Sequence, residues 1–215
     1  MRIFYFSVTQ NQTQISSKTR RILKIAIPKL SKEMLKYVSD CMETMIRLLP
    51  LREAQTIAFK EEMQEAFQHG FQSYYYKEDN QWQVLPDKDF YQSLVAEDAE
   101  AYEAIETDGQ RVGGAIIAID AAKHHGELSF LYVKVGVQSK GIGQAIWKAI
   151  EALHPETEVW ETCTPYFDRR NIHFYINRLG FHAVEFFNEH HPDPHMPEQF
   201  DQEDGLFRFE KRMAD

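Results

Sequence analysis

The feature that most constrains the fold is a pair of glycines, Gly141 and Gly143, between a strand-like and a helix-like segment. Glu127–Val135 is typical of a strand, and the residues after Gly141 repeat apolar side chains at helical spacing until Pro155. Glycines at such a junction let backbone N–H groups converge on an anion, and the helix dipole adds partial positive charge. The sequence therefore predicts a phosphate-binding loop here.

Two common phosphate loops do not match this segment. A Walker loop needs Gly-Lys-Ser/Thr at its end, whereas Ile142-Gly143-Gln144 stands here. A dinucleotide fingerprint needs a third Gly or Ala where Ile146 stands, and an early βαβ position. Both patterns are therefore disfavoured, and with them a nucleotide-dependent enzyme of another class.

The rest of the chain predicts a mixed sheet with helices. The predicted strands are Ile46–Leu51, Ala101–Thr107, Arg111–Ile119, Glu127–Val135, Val159–Thr164, Phe181–Phe187 and Leu206–Arg212. The predicted helices are Arg52–Gly70, the segment from Gly141 to Pro155, and Asp168–Leu179, with a loop and a short helix over 71–98. This order excludes a helical bundle and a purely parallel sheet. It predicts an α/β fold of the α+β type, with a mixed sheet and helices on both faces.

Two motifs carry a family resemblance. Gln138-Ser139-Lys140-Gly141-Ile142-Gly143 matches Gln/Arg-x-x-Gly-x-Gly/Ala, and a helix ends in Tyr-x-x-x-x-Gly-Phe at Tyr175, Gly180 and Phe181. Together, in this order, they resemble the GNAT superfamily of N-acetyltransferases over roughly residues 46–212. The resemblance implies an acyl-CoA N-acyltransferase fold, a twisted mixed sheet whose central strands splay apart to admit acetyl-CoA.

The resemblance also implies which residues hold acetyl-CoA, the expected co-substrate. They are Val133, Val135, Gln138, Lys140, Gly141, Ile142, Gly143, Gln144, Asn171 and Tyr175. Asp168 stands where the family usually has Asn, which leaves open whether Asp168 or Asn171 reaches the pantetheine arm. A side chain at Gly143 is expected to occupy the space of the phosphate.

The expected reaction is acetyl transfer to a primary amine, of a small molecule or an amino terminus, by direct attack in a ternary complex. The amine must be neutral, so a base must remove a proton, and Glu127 and its rival Glu161 are the candidates. By resemblance, Tyr175 is the acid for the leaving thiol. The alternative is a non-catalytic CoA-binding regulatory or interaction module.

The net charge and the composition limit the classes of partner that the protein is expected to bind. The chain has 24 basic and 33 acidic residues, a net charge of -9, which disfavours nucleic acid. Two cysteines, Cys41 and Cys163, fit a reducing cytosol, and no apolar run has membrane-spanning length. We therefore expect a cytoplasmic protein with no membrane or nucleic-acid partner. A homodimer is compatible with the sequence but does not follow from it.

Residues 1–45 differ from the remainder. They carry eight basic and three acidic side chains, so they are predicted to form a basic N-terminal extension, partly helical or flexible, ahead of a catalytic domain at 46–215. A second unusual segment contains His190, His191, Asp193 and His195. Its prolines and the lack of a matching Cys/His set favour a loop on the acceptor side over a metal site, so no metal is expected.

Overall fold

The computed structural model describes residues 46–72, 83–138, 141–193 and 205–213. The strands are β1 (Arg47–Pro50), β2 (Ala99–Ile105), β3 (Arg111–Asp120), β4 (His125–Val133), β5 (Val159–Pro165), β6 (His182–Phe187) and β7 (Leu206–Arg212). The helices are α1 (Thr56–Gln72), α2 (Asp87–Leu94), α3 (Ile142–Leu153) and α4 (Arg169–His173), with a 3₁₀ turn at Glu53–Gln55 and a π-helix at Phe174–Leu179. The predicted N-terminal extension lies outside the described residues.

The strands form a single seven-stranded sheet in the order β1-β2-β3-β4-β5-β7-β6. The pairs β1–β2, β2–β3, β3–β4, β5–β7 and β6–β7 are antiparallel, whereas β4 and β5 are parallel. A parallel pair needs a crossover connection, which α3 supplies between β4 and β5. The glycine loop therefore lies in the crossover between the two parallel neighbours of the described sheet.

Helices pack on both faces of the sheet. On one face, α3 contributes Ile146, Trp147 and Ile150 to a cluster that also contains Trp160 and Phe181. Trp147 packs edge-on against Trp160, with ring centroids 5.1 Å apart. This arrangement confirms the predicted fold class, a mixed sheet with helices on both faces.

The opposite face carries α1 and α2. Phe59 and Met63 of α1 and Phe90 of α2 are fully buried there, against Ile116 and Tyr132 of the sheet. Because successive strand residues point to opposite faces, Ile116 belongs to this cluster and Ile117 to the other. Because helices cover both faces of the sheet, the central strands are apolar on both faces.

An ion-pair network fixes α1 beside the glycine loop. Glu62 of α1 accepts hydrogen bonds from Arg111 at 2.8 Å, from Lys134 at 2.9 Å and from the Tyr132 hydroxyl at 3.2 Å. Arg111 also donates to the buried Glu103 at 2.6 Å. Since Lys134 directly follows β4, the network anchors the chain where it leaves the sheet.

Several predicted elements have different boundaries in the structure, and two of them are β4 and the helix that begins with α4. The strand predicted at Glu127–Val135 runs from His125 to Val133, so Val135 lies in the turn that follows. The helix predicted at Asp168–Leu179 is helical in α4 and then widens into the π-helix, with Gly180 at φ +80° as its left-handed cap. Gly180 is thus confirmed as the stop, whereas the π-helix was not predicted.

Candidate active site

The cleft is made by two neighbouring strands that separate. β4 and β5 pair only from His125–Val159 to Glu127–Glu161. In β4, Ser129 is then a bulge residue, because Leu128 and Phe130 pair with consecutive residues of β3. Beyond this point the β5-facing edge of β4 is unpaired, and a cleft of about 1280 Å³ opens between the strands. Backbone groups along this edge of β4 are not paired with β5 and can bind an extended ligand.

The glycine loop brings the start of α3 to this cleft. Gly141 has φ +78°, a left-handed conformation that favours glycine, and it caps α3 without a side-chain hydrogen bond. The first helical bond runs from Ala145 N–H to the Gly141 carbonyl at 2.9 Å. The N–H groups of Ile142, Gly143 and Gln144 therefore have no helical acceptor, and the first turn has no acidic residue. This is a suitable site for a phosphate.

Gly143 is buried for a reason that the sequence did not reveal. A Cβ atom there would lie 3.0 Å from Cζ of Phe174 and 3.4 Å from Cγ2 of Val133. The space beside Gly143 is thus partly filled by the protein itself, and the expectation that a side chain there would occupy the space of the phosphate stays a prediction. An alanine at 143 would require the ring of Phe174 to move by a few tenths of an ångström, because α3 approaches it closely.

The other residues assigned to acetyl-CoA lie in different places. Val133 and Gln138 line the cleft, and the Gln138 side chain donates to the Val133 carbonyl at 3.1 Å. Gln144 also lines it and donates to the Arg178 carbonyl at 3.1 Å. Val135 is not in the cleft lining, because it packs against the α1 cluster on the opposite face. Lys140 lies outside the described residues.

Asp168 and Asn171 have different roles: Asp168 caps a helix, and Asn171 lines the cleft. The Asp168 carboxylate caps α4 by accepting the backbone N–H of Asn171 at 2.9 Å. Burial raises the pKa of Asp168 above its ordinary value, and the hydrogen bond from Asn171 offsets only part of this rise. The Asn171 side chain lines the cleft. Because the Asp168 carboxylate is already engaged, Asn171 is better placed to supply an amide to a ligand.

Tyr175 lies in the π-helix and is 8% exposed at the wall of the cleft. Its ring packs against Phe181 and Phe209, with centroids 5.8 and 5.7 Å away. Burial raises the pKa of Tyr175 to about 12, although the Thr162 hydroxyl lowers it in part. Tyr175 is thus a neutral hydrogen-bond donor at every physiological pH.

Glu127 and Glu161 are partners in the last residue pair before β4 and β5 separate. Glu127 is exposed and accepts a long hydrogen bond, 3.3 Å, from the Ser129 hydroxyl. Glu161 accepts a 3.0 Å hydrogen bond from Arg208 and lies 3.6 Å from His125. The structure brings both carboxylates to the cleft, but their environments differ, since only Glu161 is paired with an arginine.

Cys163 was passed over by the sequence analysis as a site residue, yet it lines the cleft two residues after Glu161. Although its side chain is exposed at the cleft, desolvation by the cleft walls and then the nearby carboxylates, Glu161 first, raise the pKa of its thiol to about 12. The thiol is therefore a poor nucleophile despite its position. Residues two positions apart on a strand lie on the same face, so Glu161 and Cys163 share one face of β5. This spacing could have identified Cys163 as a cleft residue from the sequence.

The histidine-rich loop is described only up to Asp193, so His195 lies outside the described residues. His191 contacts Glu185 at 2.9 Å and stacks on Phe187. His190 lies 3.1 Å from Glu189. In the part of the chain that is described, no group of three or more His, Cys, Asp and Glu side chains is arranged to hold a metal ion. Nor does any helix there have the length and apolar character needed to cross a membrane.

A comparison of the sequence with protein families agrees with this geometry. The profile of the Acetyltransferase (GNAT) family matches residues 57–181, which include β2 to β5, the glycine loop and Tyr175. The chain belongs to the GNAT acetyltransferase family. It is also 41% identical to the uncharacterized protein YrkN of Bacillus subtilis (strain 168) over 170 residues, which cover 75% of this chain and 90% of YrkN.

Solved structures share the fold of this GNAT chain. A Bacillus subtilis acetyltransferase in complex with CoA is 19% identical with a TM-score of 0.54, covering 80% of this chain and 100% of that one. The PaiA N-acetyltransferase of Thermoplasma acidophilum in complex with coenzyme A is 17% identical with a TM-score of 0.55, covering 78% and 99%. At such identities the likeness establishes the fold alone.

Proposed function

We propose that this GNAT protein is an N-acetyltransferase that moves the acetyl group of acetyl-CoA to a primary amine by direct attack in a ternary complex. One observation carries the proposal. The unpaired edge of β4, the uncapped start of α3 and the hydroxyl of Tyr175 all border the same cleft. In the proposed complex, the edge of β4 binds the amide-containing arm of acetyl-CoA and the start of α3 binds its phosphates. Tyr175 contacts the thioester.

The binding of acetyl-CoA follows from the free hydrogen-bonding groups. The N–H groups of residues 142–144 bind the pyrophosphate, assisted by the dipole of α3. The pantetheine amides pair with the free edge of β4 in the manner of an added strand. The Asn171 amide contacts the same arm, because Asp168 is committed to capping α4. Arg170 and Arg178 also line the cleft and add positive charge.

Tyr175 supports departure of the thiol. A thiol has a pKa of about 8.5, so full proton transfer from a phenol whose pKa is about 12 would be uphill by roughly 5 kcal/mol. Tyr175 therefore stabilises the developing thiolate by donating a hydrogen bond, while water supplies the proton afterwards. Because the phenol remains neutral, this donor is present throughout the working pH range.

Glu127 is the proposed base for the amine. Its carboxylate is exposed at the cleft, whereas Glu161 is held by Arg208 at 3.0 Å. Removing a proton from an ammonium group needs an accessible acceptor, so the unpaired carboxylate is the better one. Glu161 and Glu185 also line the cleft and favour a positively charged acceptor.

The chain is further proposed to act in the cytoplasm, where free thiols such as Cys163 persist.

The test compares thiol release from acetyl-CoA by the wild type and by two matched variants, across a panel of primary amines. Gly141 and Gly109 both have positive φ, +78° and +87°, and both have open space where a Cβ would lie. Gly141→Asp and Gly109→Asp therefore impose similar backbone strain and the same charge. Only the first places a carboxylate at the start of α3, where it binds the free N–H groups and repels phosphate.

The expected result is amine-dependent thiol release by the wild type and by Gly109→Asp. Gly141→Asp is expected to bind CoA at least 30-fold more weakly in calorimetry, since one like charge near a phosphate costs about 2 kcal/mol or more in a partly buried site. Unchanged affinity in Gly141→Asp would contradict the proposed phosphate site. CoA binding without turnover on any amine would instead favour the non-catalytic CoA-binding module.

A further inference from the structure

The two faces of the sheet provide different walls of the cleft. Tyr175 belongs to the cluster packed under α3, whereas Phe130 packs against the cluster under α1. Trp160 of β5 is also part of the α3 cluster, and successive strand residues point to opposite faces, so Glu161 points to the α1 face. Glu127 is its partner in β4 and points the same way. An acceptor amine therefore reaches these carboxylates from the α1 face.

Phenylalanine side chains border the cleft beside α1. The rings of Phe67 in α1 and Phe130 in β4 have centroids 5.9 Å apart. Phe71 lies one helical turn after Phe67 and contacts Phe167 edge-on, with centroids 5.8 Å apart. All four side chains are half-buried, and we call them the aromatic wall. Because Phe130 belongs to β4 and Phe167 follows the end of β5, this wall spans the gap between the separated strands.

The charges on the α1 face are unevenly balanced. The Arg208 guanidinium lies 3.0 Å from both Glu161 and Glu185, and it also binds Glu210 at 3.0 Å. Glu127 is instead exposed and forms no ion pair with any described residue. An ammonium group beside Glu127 therefore meets a carboxylate that no arginine neutralises, and the cleft next to it is aromatic.

We propose that the acceptor is a small primary monoamine that carries an apolar ring on a short chain, and that Phe67 and Phe71 determine this specificity. This inference rests on the proposed function and adds the class of acceptor. Phe130 is three positions after Glu127, which places it about 7–10 Å further along β4. A chain of roughly four carbon atoms thus joins an amine beside Glu127 to a ring at the aromatic wall.

The acceptor reacts at the end of the cleft where Glu127 lies. Glu127 takes a proton from the ammonium group, and the nitrogen lone pair forms the bond to the acetyl carbon. The carbon–sulfur bond breaks with its electron pair moving to sulfur, and water then protonates the thiolate. The ring remains on the aromatic wall during this step, so the wall positions the amine without taking part in the chemistry.

The aromatic wall distinguishes between amines of equal length. Transfer of a phenyl group from water to apolar side chains favours the ring-bearing amine by about 10- to 100-fold. A second ammonium group at the same place would lose its water without gaining a carboxylate, which is unfavourable. The wall therefore selects against a diamine of the same chain length.

The experiment compares three acceptors that share a four-carbon chain: butylamine, 4-phenylbutylamine and 1,4-diaminobutane. Thiol release from acetyl-CoA by the full chain gives kcat/KM for each amine. We expect 4-phenylbutylamine to exceed butylamine by about 10-fold or more. The diamine should exceed butylamine by no more than about 2-fold, since it offers two amino groups but no ring.

Substitutions in the wall connect this preference to its residues. Phe67→Ala and Phe71→Ala should each lower kcat/KM for 4-phenylbutylamine about 5-fold more than for butylamine, because each removes one apolar surface from the ring. The matched control is Phe186→Ala, since Phe186 packs against Phe207 and does not line the cleft. It should keep the wild-type preference. If neither alanine variant folds, Phe67→Leu and Phe71→Leu replace them, with a smaller change in the same direction.

Calorimetric binding of CoA to each variant reports separately on the co-substrate site. A higher kcat/KM for 1,4-diaminobutane than for 4-phenylbutylamine overturns the proposal. An unchanged preference in the substituted proteins also overturns it, as does a wild type that acetylates only the amino termini of peptides. Absence of thiol release with every amine is a different result, because it refutes the proposed function itself and this inference with it.

Discussion

Replacing Gly143 by alanine tests the close approach of α3 to Phe174. The new Cβ would lie 3.0 Å from Cζ and 3.3 Å from Cε2 of Phe174, whereas carbon atoms normally approach to about 3.5–4.0 Å. The ring must therefore shift by a few tenths of an ångström, and overpacking of this kind costs about 1–3 kcal/mol. Alanine regains about 0.5–1 kcal/mol over glycine in a helix. The net expectation is a loss of up to about 2.5 kcal/mol.

The prediction is sharper in a second background. Phe174→Leu removes the ring atoms that the new Cβ would meet, although it has a cost of its own because Phe174 is partly buried. In that background Gly143→Ala should become neutral or stabilising by up to about 1 kcal/mol, since only the helix preference remains. The sign of the effect should thus reverse between the two backgrounds.

The assay is equilibrium urea unfolding of the four proteins of this cycle, with melting temperatures as a second measure. A change of 1 kcal/mol corresponds to about 2–4 °C in a domain of this size. Gly70→Ala is the control, because Gly70 lies in α1 and a Cβ there meets nothing within 4 Å. An equal loss of stability from Gly143→Ala in both backgrounds would refute the reasoning, because the cost would then not come from the ring.

The remaining predictions concern protons. Because burial raises the pKa of Tyr175 to about 12, its hydrogen remains bound and kcat should show no descending limb from this group between pH 7 and about 10.5; a limb near the ordinary phenol pKa of about 10 that disappears in Tyr175→Phe would contradict this. Glu127→Gln should lower kcat/KM for amines about 100-fold at pH 7, within the range for loss of a general base, and less at high pH where free amine accumulates. Glu161→Gln should have a smaller effect on kcat/KM and a larger one on stability, because it leaves Arg208 without one of its carboxylate partners; the reverse order would transfer the base role to Glu161.

The order of the elements was predictable because it depends on local patterns. Helical spacing after Gly141, the Asp108-Gly109 turn and the glycine after Leu179 each reflect preferences of the backbone within a few residues. The positive φ of Gly109, Gly141 and Gly180 follows from the same local preference. The resemblance carried by two short motifs then supplied the family, since backbone contacts to a phosphate need only glycines at fixed spacing.

The sequence by itself determined the mixed sheet and the glycine loop at the start of α3. It also identified Tyr175 and the two carboxylates as candidate catalytic residues. The tertiary structure decided what each of these residues contacts. Gly143 faces Phe174, 31 positions away in sequence, and Glu161 is bound by Arg208, which is 47 positions away. The Thr162 hydroxyl donates to the carbonyl of Leu128, which is 34 positions away. Such contacts are set by which strands become neighbours and where they separate, and no local pattern of residues encodes that.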